Sequence, residues 1–472
     1  MSVARQVAWN TIAQVAARAA VLAAAVVTTG VLTRYLGVSG YGDYVIVSVY
    51  VSFFSLVFDW GIPTMIAREL PRTKGAAELL GTAISLRLAL ALPVGALAAA
   101  GAFAIYGGED DRRVRLGVLI ALPTIVAVAA STTLSALFQA RLRMDLVAAA
   151  EFVSQTAAFA VILALVAADQ SFYVLIAATV LAAVLNALVV LLLSRRIQRF
   201  VLRVDPAAWR ELLRLALPLG LAIVVATIYF RADALLLSLL KPSEDVGIYG
   251  VAYRFFEVAT TFSAFFMGPV FPLISASVAL GTAEELSSLL QRSFDVLMVA
   301  AIGLVAMTTA VAPELIGLIA GEAFERSATP LRVLVAGAGI LFFNSLFALT
   351  LVALNRQRTV LVISVVTLVA NVALNLVLIP EFSYNAAAAI ATLSQLVSAV
   401  GAAIVVRRAT GFSPRLRTTT RCAAAGLATF TVMFVLDAPL GILVAAGVTV
   451  YASMLLLLRV DRELDLRQLL RV

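Results

Sequence analysis

The residues of this sequence most able to do chemistry are the charges that interrupt its apolar stretches. In the first stretch, Asn10, Gln14 and Arg18 are spaced by four, which places them on one face of a helix. Arg87 lies at a comparable depth in the third stretch, and neither arginine has an acidic residue one helical turn away. A charge at the membrane centre costs about 3 kcal/mol, so an arginine there is rarely accidental. The pattern predicts that Arg18 and Arg87 face a watery cavity and bind an anion.

The second half of the chain carries further buried charges. Arg254 and Glu257 are three residues apart, so their side chains can pair on one helix face. This pair serves either as a cavity ligand or as a contact that tightens the bundle. Asn371 and Asn375 form another polar face with Thr367. The remaining ionisable residues, interpreted as coupling groups or structural charges, lie late in a stretch or near its ends: Asp59, Glu151, Arg231, Asp233 and Asp295.

Guanidinium groups indicate the chemistry of the expected anion. Their planar fork matches phosphate oxygens bidentately, and several together suit a pyrophosphate better than a monovalent metabolite. Amide groups such as those of Asn10, Gln14, Asn371 and Asn375 also suit sugars. The residues therefore favour a transporter of a bulky anionic amphiphile.

The composition defines the class of protein. The chain has 472 residues, of which 62% are hydrophobic and only 13% charged, so an ordinary soluble enzyme is excluded. A single cysteine, Cys422, rules out an internal disulfide, and the lack of histidine rules out an imidazole metal site. No cofactor is expected. The net charge of +8 fits basic connectors beside membrane spans better than it fits nucleic-acid binding.

Apolar stretches of bilayer-spanning length recur from end to end. A spanning helix needs roughly 20 apolar residues, and continuous apolar runs do not resemble the alternating strands of a barrel. The sequence therefore predicts an all-α polytopic membrane protein with about 14 transmembrane helices. The predicted spans are 7–33, 43–68, 76–106, 114–138, 144–168, 172–195, 208–240, 246–278, 286–311, 330–354, 358–380, 383–406, 420–437 and 439–458.

Arginines concentrate in alternate connectors, which predicts that both termini lie in the cytoplasm. Short motifs also repeat: Gly42-Asp43-Tyr44 is echoed by Gly247-Ile248-Tyr249. We expect two six-helix bundles related by an axis along the membrane normal, which suits alternating access. The alternative is that such short matches recur by chance. The predicted domains are a first bundle at 1–195, an amphipathic linker at 196–207, a second bundle at 208–410, and two further helices with a tail at 411–472.

The predicted linker alternates basic and apolar residues. Arg199 and Arg203 alternate there with Phe200, Val201 and Val204. This alternation is typical of an interfacial helix on an anionic leaflet, with Pro206 as a break.

Several motifs resemble those of one family. Leu32–Tyr44 contains R-x-L-G followed by Y-G-x-Y, and Asp59-Trp60-Gly61 precedes an Arg-Glu pair, Arg68-Glu69. Val246–Arg254 and Gly321–Phe324 follow in order in the second half. These segments resemble the polysaccharide biosynthesis flippases, the Wzx-like branch of the multidrug/oligosaccharidyl-lipid/polysaccharide exporter superfamily. The resemblance covers nearly the whole chain.

The resemblance implies a flippase that moves undecaprenyl-pyrophosphate-linked sugars to the outer leaflet of the cell membrane. It implies that cavity cations bind the pyrophosphate, and these correspond here to Arg18, Arg87 and Arg254. The expected partners are a lipid-linked oligosaccharide, membrane lipids, a proton or sodium ion for coupling, and glycan-assembly proteins.

Three alternatives remain open at the level of sequence. A lipid II flippase would use a similar cationic cavity. A cation-coupled multidrug exporter would need an acidic or aromatic cavity, whereas the deepest charges here are arginines. A membrane enzyme of glycan assembly would need a long outward loop with catalytic carboxylates or histidine. We therefore expect a transporter and not an enzyme.

Overall fold

The computed structural model describes the backbone of residues 3–460 except 58, 74 and 142. It describes their side chains apart from those of 3–20, 57, 218, 219, 221–223, 226 and 227. Throughout this described part the regular secondary structure is helical and no strand occurs. The predicted all-α fold is confirmed.

The chain forms two units, residues 1–247 and 248–472. Helix α9 begins in the first unit and continues into the second. The helices that lie within the first unit are α1 (Val3–Val57), α2 (Ile62–Glu69), α3 (Ala76–Ile105), α4 (Arg112–Ala121), α5 (Pro123–Ala140), α6 (Met144–Ala167), α7 (Phe172–Ile197) and α8 (Pro206–Leu240). The others are α9 (Ser243–Leu280), α10 (Ala283–Ala310), α11 (Ala312–Ala320), α12 (Ala328–Ala353), α13 (Gln357–Thr410), α14 (Arg417–Val435) and α15 (Leu440–Leu457). Two short 3-10 helices cover Leu70–Arg72 and Glu322–Ser327.

Ten helical segments of the described chain are long and apolar enough to cross a membrane. Val21–Leu56 overlaps two predicted spans, 7–33 and 43–68, and Gln357–Thr410 contains two, 358–380 and 383–406. The two predicted spans outside this set, 208–240 and 420–437, are helical as α8 and α14. The protein is thus a polytopic membrane protein whose helices follow the predicted order.

Backbone breaks explain the two merged segments. In α1 the break is at Gly37, whose φ of 67° lies in the left-handed region that glycine adopts without steric cost. In α13 it is at Ser383, which has a φ of 51° and follows Pro380. The predicted boundaries between spans 7–33 and 43–68, and between 358–380 and 383–406, coincide with these breaks.

The linker differs from the prediction of an interfacial helix. Helix α7 ends at Ile197, residues 198–205 are not helical, and Pro206 starts α8 instead of breaking it. The side chain of Asp205 accepts hydrogen bonds from the first backbone N–H groups of α8 and so caps that helix. The interfacial helix was a wrong prediction, because alternating basic and apolar residues suit an extended segment as well as a helix.

The extended segment 198–205 lies against α3. A Cβ atom on Gly81 would come within 2.0 Å of the carbonyl oxygen of Val201, so only glycine permits this approach. Ser85, one turn further along α3, donates a hydrogen bond to the carbonyl of Arg203. The indole of Trp209 in turn donates to the Ser85 hydroxyl at 3.1 Å. These contacts fasten the segment to the helix that carries Arg87.

The first unit also includes α8, which the sequence assigned to a second bundle. This helix packs against α1, α2 and α3, and its residues Leu212 and Ala216 belong to the same buried cluster as Ile66 and Leu80. The boundary at Gly247 is therefore later in the chain than the predicted boundary after residue 207. The division into two bundles of six helices stays a prediction.

Candidate functional site

An ion pair between a buried arginine and a partly buried aspartate lies in the first unit. Arg87 on α3 has a side chain only 3% exposed, and its Nη1 donates to the carboxylate of Asp59, which lies in the turn between α1 and α2. The same nitrogen donates to the backbone carbonyl of Asp59 at 2.9 Å. Its other terminal nitrogen, Nη2, donates to Thr132 Oγ1 on α5 at 3.2 Å. Arg87 therefore joins three separate parts of the first unit.

Arg87 has a counter-ion that the search for acidic residues one helical turn away did not identify. Its partner, Asp59, lies 28 residues earlier in the chain, far beyond one helical turn. The turn that brings Asp59 close depends on Trp60 and Gly61, which have positive φ values of 52° and 67°. An arginine already neutralised by a carboxylate needs no anionic ligand to compensate it. In this structure Arg87 acts first as a structural contact.

Apolar packing lies beside this ion pair. Leu86, next to Arg87, belongs to a buried cluster that includes Ile62 and Leu137. Charges in such surroundings interact more strongly than in water, and breaking the pair would leave one charge unsolvated. Arg87 is consequently held in one place with little access to a ligand.

The second unit holds a different pair. Arg254 and Glu257, both on α9, pair within one helical turn, with 2.8 Å between Nη1 and Oε2. The predicted pairing at this spacing is confirmed. The Arg254 side chain is 41% exposed and that of Glu257 is 28% exposed. This guanidinium, in contrast to that of Arg87, is accessible to a ligand.

The other predicted site residues fall into three groups. The side chains of Asn10, Gln14 and Arg18 lie outside the described residues, so their meeting with Arg87 stays a prediction. Asp233 and Asp295 are buried, each 4% exposed, and Asp295 accepts a hydrogen bond from Gln291 at 3.0 Å. The remaining two, Glu151 and Arg231, are partly buried.

Asn371 and Asn375 do not form an open sugar-binding face. They are 1% and 0% exposed, and the Asn375 amide donates to the Asn371 side chain at 3.0 Å. The Asn371 amide donates to Ser394 in the second half of α13, also at 3.0 Å. The expectation that these amides line a cavity is wrong, because they hold the two halves of the broken helix together.

Sequence reasoning missed a cluster around Asp43 in the first unit. Its carboxylate accepts a hydrogen bond from Ser243 at 2.5 Å and lies 3.4 Å from Arg113. The Arg113 guanidinium stacks over the ring of Phe172 at 4.4 Å. Beside it, a Cβ atom on Gly42 would lie 1.7 Å from the Ser243 carbonyl oxygen. The repeated glycine-tyrosine motif was the available signal, since its glycine permits this backbone contact.

Metal binding has no evident place in the described part of the chain. Within those residues, no group of three or more His, Cys, Asp or Glu side chains is arranged to hold a metal ion. The charged groups of the candidate site are therefore guanidinium groups and carboxylates.

Comparisons with solved structures identify the fold. The lipid II flippase MurJ, in an inward closed conformation, is similar with a TM-score of 0.78 and 14% identity over 94% of this chain and 97% of the other. An inward-facing multidrug resistance transporter of the MATE family has a TM-score of 0.68 and 14% identity over 82% and 93% of the two chains. A transporter of the same superfamily from Pyrococcus furiosus has a TM-score of 0.62 and 13% identity over 85% and 96%. At these identities the likeness shows the fold.

Sequence comparisons identify the family. No curated protein matches the sequence significantly. A family model described as MatE matches residues 218–377. The model of the polysaccharide biosynthesis proteins matches residues 3–278, which is more than half of the chain. The predicted resemblance is thereby confirmed: this multi-pass membrane protein belongs to the polysaccharide biosynthesis protein family and has the fold of the multidrug/oligosaccharidyl-lipid/polysaccharide exporter superfamily.

Proposed function

We propose that the protein is a flippase that moves a polyprenyl-pyrophosphate-linked oligosaccharide from the cytoplasmic to the outer leaflet of the cell membrane. Both termini lie in the cytoplasm, alternating access moves the cargo, and the product supports surface polysaccharide assembly. The observation that carries the proposal is the accessible Arg254–Glu257 pair within a membrane helix. Membership in the polysaccharide biosynthesis protein family supports the cargo class.

The pair is suited to reversible binding of a diphosphate. Glu257 neutralises Arg254 when no cargo is present, which lowers the cost of a charge within the membrane. A diphosphate carries more negative charge than one carboxylate and offers several oxygens to the guanidinium fork. It can therefore replace Glu257 as the partner of Arg254. When the cargo leaves, Glu257 pairs with the arginine again.

Arg87 has a different role in this proposal. Its bond to Asp59 keeps the turn before α2 in place, so Arg87 positions the helices and does not contact the cargo in this state. Arg18, with Asn10 and Gln14, remains the proposed second cationic and polar contact for the cargo. Coupling to a proton or a sodium ion is assigned to the buried carboxylates Asp233 and Asp295.

A lipid II flippase is the second candidate, because its cargo carries the same polyprenyl diphosphate group. The fold similarity to such a flippase is compatible with this candidate. A multidrug exporter of cationic compounds receives less support, since the accessible guanidinium of Arg254 would repel them.

Export in cells tests the proposal. A strain lacking this protein receives the wild type, Arg254→Ala, Arg254→Lys, or the control Arg358→Ala, which removes an exposed arginine close to the start of α13. We expect Arg254→Ala to abolish surface polysaccharide and accumulate its lipid-linked precursor, with a partial defect for lysine, which lacks the planar fork. The control should export normally. Full export by Arg254→Ala at wild-type protein levels would refute the proposal, and rescue of a strain depleted of its lipid II flippase would favour the second candidate.

A further inference from the structure

A second polar site lies in the second unit, away from Arg254. It is a cavity of about 730 Å³ between the first turns of α10 and the connector that joins α13 to α14. The wall from α10 includes Ser287, Ser288 and Arg292, and the opposite wall includes Arg415 of the connector and Arg417, the first residue of α14. Nothing in the proposed transport step uses these residues.

One side chain fastens the two walls of the cavity. The backbone N–H of Arg415 donates to Gln291 Oε1 at 2.8 Å, while Gln291 Nε2 donates to Asp295 Oδ1 at 3.0 Å. The connector is therefore tied to α10, and the cavity is formed without a ligand.

The charges in the cavity are arranged by depth. Asp295 is 4% exposed and lies at the floor, where Gln291 holds its carboxylate. Arg415 and Arg417 are exposed and lie at the mouth, and Arg292 is partly buried between these levels. Glu284 is the other acidic residue of the lining. A ligand at the mouth therefore meets guanidinium groups and serine hydroxyls, which are the donors that phosphate oxygens prefer.

Exposed apolar residues lie near the lining residues in the sequence. Leu416 is 59% exposed and stands between the two arginines in the sequence, and Leu280, just before α10, is 75% exposed. Further along α14, Leu427 and Phe434 are 67% and 69% exposed. Because Arg417 is the first residue of α14, an anionic group bound there would lie at the end of a helix with exposed apolar side chains. A soluble anion would contact only the arginines. A lipid can place its headgroup at the arginines and its acyl chains against the apolar side chains of α14.

We propose that this cavity binds the phosphate headgroup of an anionic glycerophospholipid from the cytoplasmic leaflet. The lipid phosphate contacts Arg415, Arg417 and Arg292, and its acyl chains lie along α14. The predicted cytoplasmic location of the connector places it at the leaflet where anionic lipids attract basic residues. The cavity shares Asp295 with the proposed coupling residues, but the lipid contacts the three arginines, and none of these contacts the cargo in the proposed transport step.

Lipid binding to the purified protein tests the proposal. Labelled phosphatidylglycerol and labelled phosphatidylcholine are titrated into the wild type, the double variant Arg415→Gln/Arg417→Gln, and the control Arg356→Gln/Arg358→Gln. The control removes the same charge from exposed arginines elsewhere in the same unit. We expect the wild type to prefer phosphatidylglycerol, and the first variant to bind it about tenfold more weakly, while the control binds as the wild type does.

A further variant and a competitor separate the remaining outcomes. Ser413→Asp adds a carboxylate to the lining at an exposed position, and should also weaken phosphatidylglycerol binding. Equal affinity for both lipids, or equal loss in the control variant, would overturn the headgroup site. Displacement of the lipid by an equal concentration of inorganic phosphate would show a free-anion site and would overturn the lipid assignment.

Discussion

The two units each contain an arginine paired with a carboxylate, and the pairs differ in how their partners are brought together. Arg87 meets Asp59 across 28 residues of chain and is 3% exposed. Arg254 meets Glu257 within one turn of α9 and is 41% exposed. The Arg87–Asp59 pair is a tertiary contact, whereas the Arg254–Glu257 pair needs only that α9 is helical. Burial of an arginine in a membrane protein therefore does not by itself mark a ligand site.

Accessibility decides which pair can change partner. A ligand that replaced Asp59 would have to reach a guanidinium that is only 3% exposed and lies beside an apolar cluster. Replacing Glu257 costs less, since the Arg254 guanidinium is 41% exposed and a ligand does not have to displace buried packing to reach it. The comparison thus assigns positioning to the first pair and binding to the second.

The largest expected effect on stability is at the Arg87–Asp59 pair. Asp59→Ala leaves the Arg87 guanidinium without its carboxylate, and we expect a loss of about 3–5 kcal/mol in stability. Thermal unfolding of the purified protein measures it. The double variant Asp59→Ala/Arg87→Leu should regain part of the loss because no charge is then left unpaired. If Asp59→Ala unfolds at the wild-type temperature, the pair is not structural.

A smaller effect is expected at the third partner of Arg87. Thr132→Val removes the hydroxyl that accepts from Nη2, and a hydrogen bond to a charged group contributes about 1.5–3 kcal/mol. Thr133→Val is the matched control, since this buried hydroxyl donates to the Ala129 carbonyl of its own helix. Urea unfolding of the two variants measures the difference. Equal losses would argue against a specific bond between Arg87 and Thr132.

The smallest effect on stability is expected for the accessible pair. Arg254→Ala should cost less than about 1 kcal/mol, because exposed ion pairs within a helix contribute little. Thermal unfolding of Arg254→Ala and Asp59→Ala under the same conditions compares the two losses of stability directly. A loss as large as that of Asp59→Ala would mean that Arg254 is structural too, and the assignment of binding to this pair would fail.

Glu257→Gln sharpens the comparison without removing the cation. The amide keeps the shape of the side chain but no longer competes with the cargo for Arg254, so binding of a polyprenyl diphosphate should tighten by a few-fold. Transport should slow because cargo release becomes harder. Titration with undecaprenyl diphosphate measures the first effect, and unchanged affinity would show that Glu257 does not compete.

The features that can be predicted from the sequence are local ones. Apolar length determines a span, and three-residue spacing places Arg254 beside Glu257, so both follow from the order of the residues alone. Asp59 and Arg87 become neighbours only through the turn at Trp60 and Gly61, and helix periodicity carries no information about that turn.

Residues 198–205 illustrate the same limit. Their composition suits a helix on a membrane surface, but the contact of Val201 with Gly81 holds them in an extended conformation. The extended conformation therefore depends on a glycine in α3, a helix distant in the sequence. The burial of Asn371 against Ser394 likewise depends on how the two halves of α13 fold together.

Direct binding of undecaprenyl diphosphate to the purified wild type and to Arg254→Ala tests the central claim, that Arg254 holds a diphosphate. Undecaprenyl monophosphate serves as the matched ligand with the same tail. We predict that the wild type prefers the diphosphate and that Arg254→Ala loses about tenfold or more in affinity for it, with little change for the monophosphate. Equal binding of the diphosphate by the wild type and the variant would contradict the account.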